Sequence, residues 1–323
     1  KLALVITLRA GDQNTIALLM SVVPIPRIPI TDLTAKRFFD QDRRANQPAI
    51  ILDLLPSQPS WNLDFLCQHL GEYPTPVRAY GRQRYQQDKR QWQEIGRGME
   101  PETLSFSEFA QLIQTQQARD RDIYLAKFPL TGTPLEHHSV LEEIVHRLGL
   151  TLPATGFNLW IGPGGHTTCL HYDPVDSLLI QSQGDKKVVL FPPSELNNLY
   201  PFPLSVHLQH GLKLRASYSQ VYPDHPDFSA FPKLQQALKQ RYEVTLQARE
   251  VLYLPAGWWH EVTTLGNGVV CSINRFWHPH PLTAAAWSWH MWRVHLGSVF
   301  AVPKIFWDGI THPESWQSLL RRI

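Results

Sequence analysis

The chain has 323 residues, which is enough for one large domain or two modest ones, and its 43% hydrophobic and 18% charged residues are typical of a globular protein. Its formal net charge of +2 excludes general binding to nucleic acids or membranes through the electrostatic field alone. The cysteines are few and widely spaced, at Cys67, Cys169 and Cys271. They indicate neither a disulfide framework nor a zinc site, so we expect a reducing, cytoplasmic location.

Residues 1–30 are predicted to be a leader or a misassigned start. The apolar run from Thr15 to Val23 is too short to span a bilayer, and prolines follow it closely. Lys1 and Arg9 are the basic residues that a signal peptide would need, but Asp12 interrupts the upstream apolar run. We therefore expect no membrane partner.

Residues 31–119 are predicted to form an N-terminal flanking segment of mixed α/β structure that packs on the main domain. Ser105 followed by Glu108 has the spacing of a capping box, so a helix is expected to begin there. The other elements expected in this segment are a strand at 49–52, a helix at 64–70, an extended segment at 74–80 and an exposed, Arg- and Gln-rich loop at 80–97.

The region 120–282 has short apolar runs separated by Gly, Pro and Asn-Gly, which is typical of a β-sandwich or barrel. The strands expected here are 122–128, 157–161, 177–181, 187–191, 243–246, 251–254 and 269–274, with a helix at 141–148 and a helical insertion at 231–242. The region 283–323 is predicted to be a helical, aromatic tail that packs on the core or joins two copies of the chain in a homodimer. The fold class is therefore mostly β.

The pattern His171-x-Asp173 and the distant His260 together offer two imidazoles and one carboxylate. Residues two apart on a strand point to the same side, so His171 and Asp173 can share a metal ion. This ligand set is the one that non-heme Fe(II) oxygenases use. Three unrelated, hydrogen-bonded side chains are the alternative, because a chain with 15 histidines produces an accidental His-x-Asp easily. The Gly-rich run 162–165 and the run 255–258 resemble the mouth turns of a ligand-bearing barrel and favour the metal site.

Lys186 precedes the apolar run 188–191 and has two interpretations. A lysine at the start of a strand most often lies in solvent. It can instead lie inside a barrel, where it would form a strong charge-assisted bond with the distal carboxylate of a dicarboxylate. Lys187 has the opposite strand parity, so at most one of the two lysines faces inward.

Several motifs in the same order resemble the JmjC/cupin-like family of Fe(II)- and 2-oxoglutarate-dependent hydroxylases, and within it the protein asparaginyl hydroxylases. The resemblance covers about half of the chain, roughly 120–282, and implies a double-stranded β-helix, or jelly roll, of cupin or JmjC type. The matching motifs are Ile161-Gly162, Thr168-x-x-His171-Tyr172-Asp173, Gly184-x-Lys186, Leu190-Phe191-Pro192-Pro193, Leu199-Tyr200-Pro201-Phe202-Pro203, Val251-Leu252-Tyr253-Leu254-Pro255-x-x-Trp258-Trp259-His260 and Ser272-Ile273-Asn274.

The resemblance also implies roles for individual residues. His171, Asp173 and His260 would bind Fe(II), and Lys186 would hold the 5-carboxylate of 2-oxoglutarate. The remaining contacts to this co-substrate would come from the hydroxyls of Thr168 and Tyr124 and, at its metal-binding end, from Asn274. The implied reaction consumes O2 and 2-oxoglutarate, releases succinate and CO2, and hydroxylates a C–H bond.

Four further residues near these motifs carry separate expectations. Ser177, in place of an amide, and Arg275, before an aromatic pair, depart from the family pattern near the expected cavity and put the choice of substrate in doubt. Cys169 is expected to be a buried structural thiol. His166 is expected to face solvent or substrate, because it follows a Gly-rich turn.

The substrate is the least determined part of the prediction. Family analogy favours a protein or peptide side chain, and the basic segment 82–97 leaves tRNA as an alternative, although the nearly neutral net charge speaks against it. A metal-binding cupin without 2-oxoglutarate chemistry and a metal-free interaction module represent two different classes of function. The first commonly has His-x-His and Glu rather than His-x-Asp and Lys, and the complete triad disfavours the second.

Overall fold

Two β-sheets face each other at the centre of the protein, in a computed structural model that describes residues 22–55, 61–279 and 288–312. The larger sheet has the strand order β1-β2-β11-β8-β13-β6-β5-β3-β4, and the smaller has the order β10-β9-β12-β7. Strands 7 to 13 are paired antiparallel throughout, with partners that are distant in sequence. This arrangement confirms the predicted jelly-roll class.

The strands lie where the apolar runs predicted them, with additional short strands. Their bounds are β1 Arg27–Pro29, β2 Ala49–Leu52, β3 Pro74–Ala79, β4 Glu102–Ser105, β5 Ile123–Pro129, β6 Asn158–Pro163, β7 Thr167–Tyr172, β8 Asp176–Gln183, β9 Lys186–Phe191, β10 Tyr242–Leu246, β11 Val251–Leu254, β12 Trp259–Thr264 and β13 Val269–Trp277.

Helices flank the sheets on both sides. Their bounds are α1 Leu63–Leu70, α2 Phe106–Gln114, α3 Gln117–Asp120, α4 Ser139–Arg147, α5 Val206–His210, α6 Leu234–Leu238 and α7 Trp289–Thr311. The predicted capping box is confirmed, since the Ser105 hydroxyl accepts from the Glu108 amide while the Glu108 carboxylate accepts from the Ser105 amide. The helix predicted at 231–242 is shorter than expected and contains only α6.

The alternation of side chains along β9 sets the interior of the jelly roll. Val188 and Leu190 pack against Leu252 and Leu254 of the opposite sheet, in a cluster that lies between the two sheets. Lys186 has the same parity as Val188 and Leu190, and it is only 2% exposed. Lys187 points outward to ion pairs with Asp224 and Glu243. The inner of the two lysines is therefore Lys186.

The N-terminal region contributes strands as well as flanking helices. Strand β1 pairs in parallel with β2, and β2 pairs with β11 at one end of the larger sheet. Strands β3 and β4 extend the other end. Residues 27–29, which the sequence placed in a leader, thus belong to the folded body, while 1–21 lie outside the described residues.

The segment 80–97 is only in part the exposed loop that its composition predicted, because Arg82 and Arg90 are exposed whereas Lys89, Trp92 and Ile95 are buried. Short 3-10 turns at Arg82–Gln86, Lys89–Gln91 and Gly96–Gly98 shape it. Lys89 is fully buried, and its ammonium donates to the Val221 carbonyl at 2.7 Å and lies 4.0 Å from the ring centre of Tyr222. The prediction failed because cation–π contacts allow basic side chains to be buried, and composition alone does not reveal them.

The C-terminal helix α7 packs on α5 and presents an apolar face to solvent. Its Gly297 lies so close to His207 that a Cβ atom there would be 2.5 Å from the Nε2 atom of His207. Among the described residues, no helix has the length and apolar character needed to cross a bilayer. The parts of the predicted tail at 283–287 and 313–323 lie outside the described residues.

Candidate metal centre and co-substrate cavity

The smaller sheet brings the three predicted metal ligands together. His171 on β7 and His260 on β12 are directly paired across the antiparallel ladder, and their ring centres are 4.2 Å apart. Asp173 follows the end of β7, where its carbonyl accepts from the Gly257 amide at 2.9 Å and so fixes it against the turn before β12. One ligand atom from each of the three side chains lies within 4.8 Å of the other two.

The backbone determines which nitrogen of each imidazole carries the proton. The Nδ1 atom of His171 lies 2.8 Å from the Cys169 carbonyl, and the Nδ1 atom of His260 lies 3.1 Å from the Trp258 carbonyl. A carbonyl oxygen only accepts, so both Nδ1 atoms must donate. When these rings are neutral, both Nε2 atoms therefore keep a lone pair, which is the tautomer of a metal-binding histidine.

Burial keeps the second imidazole neutral. Desolvation of His260, together with the neighbouring His171, lowers the pKa of His260 from 6.5 to about 4. The carboxylate of Asp173 lies 3.7 Å from the Nε2 atom of His260. Two imidazole lone pairs and one carboxylate that converge are a donor set that fits a divalent transition metal.

Lys186 spans the gap between the two sheets at the inner end of the same cavity. Its ammonium donates to the Tyr124 hydroxyl at 3.4 Å and, through a short contact, to the Ser272 hydroxyl. Within the described part of the chain no carboxylate forms an ion pair with it, and burial lowers its pKa to about 8. A buried cation with hydroxyl partners is suited to bind an anionic ligand.

All of the predicted site residues line one cavity between the sheets. The lining includes the triad and Lys186 together with Tyr124, Thr168, Asn274 and Ser177. The amide of Asn274 donates to the Ser177 hydroxyl at 3.4 Å, and its oxygen accepts from the Trp160 indole at 2.8 Å. Burial raises the pKa of Tyr124 well above its ordinary value, so its hydroxyl keeps its proton.

The expectation for Arg275 is wrong, because its side chain turns away from the cavity. Its guanidinium donates to the Thr155 carbonyl and lies over the ring of Phe157. Asn274 before it points inward, so strand parity sends Arg275 to the opposite face of the larger sheet. Cys169, in contrast, is a buried thiol as expected.

His166 was expected to face solvent or substrate, and the structure excludes the first of these, because its ring is buried while it lines the cavity outside the triad. It is 2% exposed, its Nδ1 atom lies 3.0 Å from a carboxylate oxygen of Asp122, and its ring stacks on Tyr124 with centres 3.9 Å apart. The Tyr85 hydroxyl donates to the other Asp122 oxygen at 2.9 Å. These residues form a buried support behind the Tyr124 ring, which the sequence could not reveal because His166 and Tyr85 are distant in the chain from Asp122 and Tyr124.

A second cavity of about 380 Å³ opens outside the triad and contains His171 and Asp173 in its wall. The basic residues that line it are Arg84, Arg97, Lys127 and Arg215, and its aromatic residues include Tyr80, Trp92, Trp160, Tyr218 and Phe276. We call it the outer pocket. Segment 80–98 forms one wall of it, and helix α7 contributes Val294.

Comparison with known proteins gives a family match over most of the chain. A family model described as a cupin-like domain matches residues 35–283. The match includes the smaller sheet, the larger sheet except β1, and every residue of the candidate site.

Individual relatives match over different lengths. The human tRNA wybutosine-synthesizing protein 5 is 26% identical over 284 residues, which cover 80% of this chain and 79% of the relative. The Arabidopsis thaliana lysine-specific demethylase JMJ31 is 31% identical over 166 residues, and the Dictyostelium discoideum JmjC domain-containing protein D is 43% identical over 110 residues. The matches cover 28% and 22% of the length of these last two relatives.

Proposed function

Because this chain belongs to the cupin-like, JmjC-related family, we propose that it is an Fe(II)- and 2-oxoglutarate-dependent dioxygenase that hydroxylates a C–H bond, with a protein side chain as its substrate. The observation that carries the proposal is the coexistence in one cavity of a convergent two-His, one-carboxylate set and a buried lysine whose partners are hydroxyls. A metal-binding cupin without 2-oxoglutarate chemistry has no need of the buried cation.

His171, His260 and Asp173 would hold the metal. The two Nε2 lone pairs and one carboxylate oxygen would be its protein ligands, and the cavity that these residues line would admit the co-substrate. When bound there, Fe(II) supplies O2 activation coupled to the oxidative decarboxylation of 2-oxoglutarate to succinate and CO2. The protein supplies the fixed orientation of its ligands, which the backbone bonds to Nδ1 maintain.

Lys186 would orient the co-substrate by its distal carboxylate. Its ammonium would provide the charge, and the hydroxyls of Tyr124 and Thr168 would provide two further donors in the same cavity. Asn274 lies toward the triad and would contact the other end of the molecule. The apolar residues Val188, Leu252 and Leu254 complete the lining and exclude water, which strengthens each of these polar contacts.

A modified tRNA base is the second candidate substrate. The human wybutosine-synthesizing protein matches the chain over 80% of its length, more than the other two relatives named above. The formal net charge of +2 disfavours a broad phosphate-binding surface. A protein side chain therefore remains the first choice, in agreement with the chemistry of the outer pocket.

The proposal is tested by following conversion of 2-oxoglutarate to succinate. We expect purified protein with Fe(II), O2 and a reductant to form succinate slowly even without its substrate, and Asp173→Ala to form none. Iron bound tightly, with no succinate formed under any condition, would overturn the proposal and support the plain metal-binding alternative.

A further inference from the structure

The outer pocket carries an excess of positive charge beside the metal centre. Four basic residues line it, and Asp173 is the only carboxylate among its lining residues in the described part of the chain. Asp173 is one of the three candidate metal ligands, so its negative charge would be used to bind the metal. The cations therefore face the space through which a substrate must approach.

Lys127 is directed into this space by an irregularity of the backbone. It has a φ of 54° inside β5, where the pairing with β6 shifts between Leu125 and Phe128. The left-handed conformation is unfavourable for a lysine, and bulges of this kind redirect side chains near active sites. The result is an ammonium that lies 4.9 Å from the ring centre of Phe276, in the wall of the pocket.

Arg97 and Arg215 add two half-buried guanidinium groups to the same wall. Burial lowers the pKa of Lys127, and the two guanidinium groups lower it further, while Asp173 opposes them. The pKa of Arg97 is likewise lowered by burial and by Arg215. An anion that enters the pocket would therefore be attracted by the positive charges of three side chains in one wall.

The aromatic lining favours a compact anion over a nucleobase. Several ring faces are already covered by other side chains: Tyr218 stacks on His171 with centres 4.7 Å apart, and Arg84 lies over Trp92 at 3.9 Å. Lys127 covers Phe276. Stacking a base requires an open ring face, so the contacts of Trp92 with Arg84 and of Phe276 with Lys127 reduce the ring surface that a base could use.

We propose that the outer pocket selects an acidic side chain, Asp or Glu in a peptide, whose carboxylate is held by Lys127, Arg97 and Arg215 while its neighbouring C–H bond faces the metal centre. The proposal rests on the proposed function and specifies the substrate class of the same site. It also separates this chain from those relatives that are named lysine-specific demethylases, because the same cations repel lysine and methyl-lysine side chains.

The proposal is tested by binding of labelled peptide pools that differ only in the central residue: Asp, Glu, Asn, Lys or trimethyl-lysine. Fluorescence anisotropy is measured on the full chain loaded with Mn(II) and N-oxalylglycine, which occupy the metal and co-substrate sites without turnover. We expect the Asp or Glu pool to bind at least about tenfold more tightly than the Lys pools. Equal binding, no binding or preference for lysine would overturn the proposal.

Variants of Lys127 test whether the pocket is the source of the preference. Lys127→Met should abolish the preference and Lys127→Arg should keep most of it, which shows that charge rather than folding is responsible. Lys233→Met removes the same charge from an exposed position and should change nothing. Loss of the preference in Lys233→Met, or its survival in Lys127→Met, would contradict the assignment.

Two controls distinguish the possible failures. A short single-stranded RNA that displaces the acidic peptide pools, or binds more tightly than they do, would overturn the acidic-peptide proposal in favour of a nucleic-acid substrate. Succinate formation, measured on the same preparation, reports on the proposed function separately. If succinate forms but the pools do not discriminate, only the inference about the outer pocket fails.

Discussion

A single lysine distinguishes a 2-oxoglutarate site from a plain metal site in this protein. Lys186 is buried between the sheets with hydroxyl partners, whereas Lys187 beside it reaches acidic residues at the surface. The two residues have the same side chain and neighbouring positions, but opposite strand parity. They therefore form a matched pair for experiment. The same substitution removes the same side chain from the buried position 186 or from the surface position 187.

Replacement of Lys186 by alanine should weaken 2-oxoglutarate binding and leave metal binding intact. A hydrogen bond to a charged group contributes about 1.5–3 kcal/mol, which corresponds to roughly 10- to 100-fold in affinity. Lys187→Ala should retain the affinity of the wild-type protein. Calorimetric titration of the metal and then of 2-oxoglutarate measures both steps, and equal losses in the two variants would contradict the role of Lys186.

The affinity for 2-oxoglutarate should also fall at high pH. The pKa of Lys186 is lowered to about 8 by burial, so the ammonium that binds the carboxylate is present below this value and is lost as the pH rises through it. The dissociation constant should rise toward tenfold per pH unit above about pH 8. Anaerobic titration at several pH values measures this slope. A slope of the same size in Lys186→Ala would assign it to another group.

Backbone irregularities in two strands place side chains where regular alternation would not. In β7 the pairing with β12 shifts between His171 and Thr168, so that both side chains line the cavity although they are three residues apart. In β5 a similar shift accompanies the left-handed conformation of Lys127. The position of Thr168 in the cavity beside His171 and the direction of Lys127 therefore cannot be predicted from the simple alternation of side chains along a strand.

The wall formed by segment 80–98 should be sensitive to one methyl group. A Cβ atom at Gly98 would lie 1.9 Å from the Lys213 carbonyl oxygen, so Gly98→Ala must displace the wall. We expect a loss of about 1–3 kcal/mol or more in the free energy of unfolding and weaker peptide binding, with the metal centre retained. Denaturant unfolding measures the first effect.

Gly268→Ala is the control for the wall, because a Cβ atom there meets no atom within 4 Å and the backbone is not left-handed. It should unfold at the same denaturant concentration as the wild-type protein. If Gly98→Ala were as stable as this control and bound peptide normally, the packing of the wall against Lys213 would not matter for the pocket.

At the scale of the whole molecule, the outstanding feature is the apolar outer face of α7. The exposed residues on this helix are Trp289, Trp292, Val299, Phe300, Val302, Phe306, Trp307 and Ile310. An apolar patch of this size on a surface marks an interaction site. The helix is also tied to the site, because the Tyr172 hydroxyl donates to the His290 carbonyl at 3.2 Å and Val294 lines the outer pocket.

We expect α7 to mediate a homodimer. The double variant Phe306→Asp and Trp307→Asp changes two residues that are 62% and 65% exposed, so it should dissociate the dimer without disturbing the core. Sedimentation velocity measures the change in mass, and Val22→Asp, at an exposed position far from α7 in the chain, is the control. A monomeric wild-type protein at micromolar concentration would contradict this expectation.

The sequence predicted the parts of the site that depend on local pattern. The spacing His171-x-Asp173 and the opposite parity of Lys186 and Lys187 are local patterns, and the resemblance of local motifs to a family selected Lys186 and His260. The structure brings these site residues into one cavity. The prediction for the fold succeeded because alternating apolar runs and turn residues are also local signals.

What the sequence could not predict depends on contacts between distant segments. The burial of His166 requires Asp122, Tyr85 and Tyr124 to meet it, and no spacing encodes this meeting. The burial of Lys89 in the segment 80–97 was missed because its partners Val221 and Tyr222 lie far away in the chain. The outer pocket as a whole was missed for the same reason, since its cations come from separate strands and loops.

The most direct test of the central claim is anaerobic titration of Fe(II) and 2-oxoglutarate into the purified protein, followed by visible absorption. The account predicts a charge-transfer band in the wild-type protein and no band in His260→Ala, whose imidazole is one of the two that face Asp173. Iron that binds to the wild-type protein without producing the band on addition of 2-oxoglutarate would contradict the account.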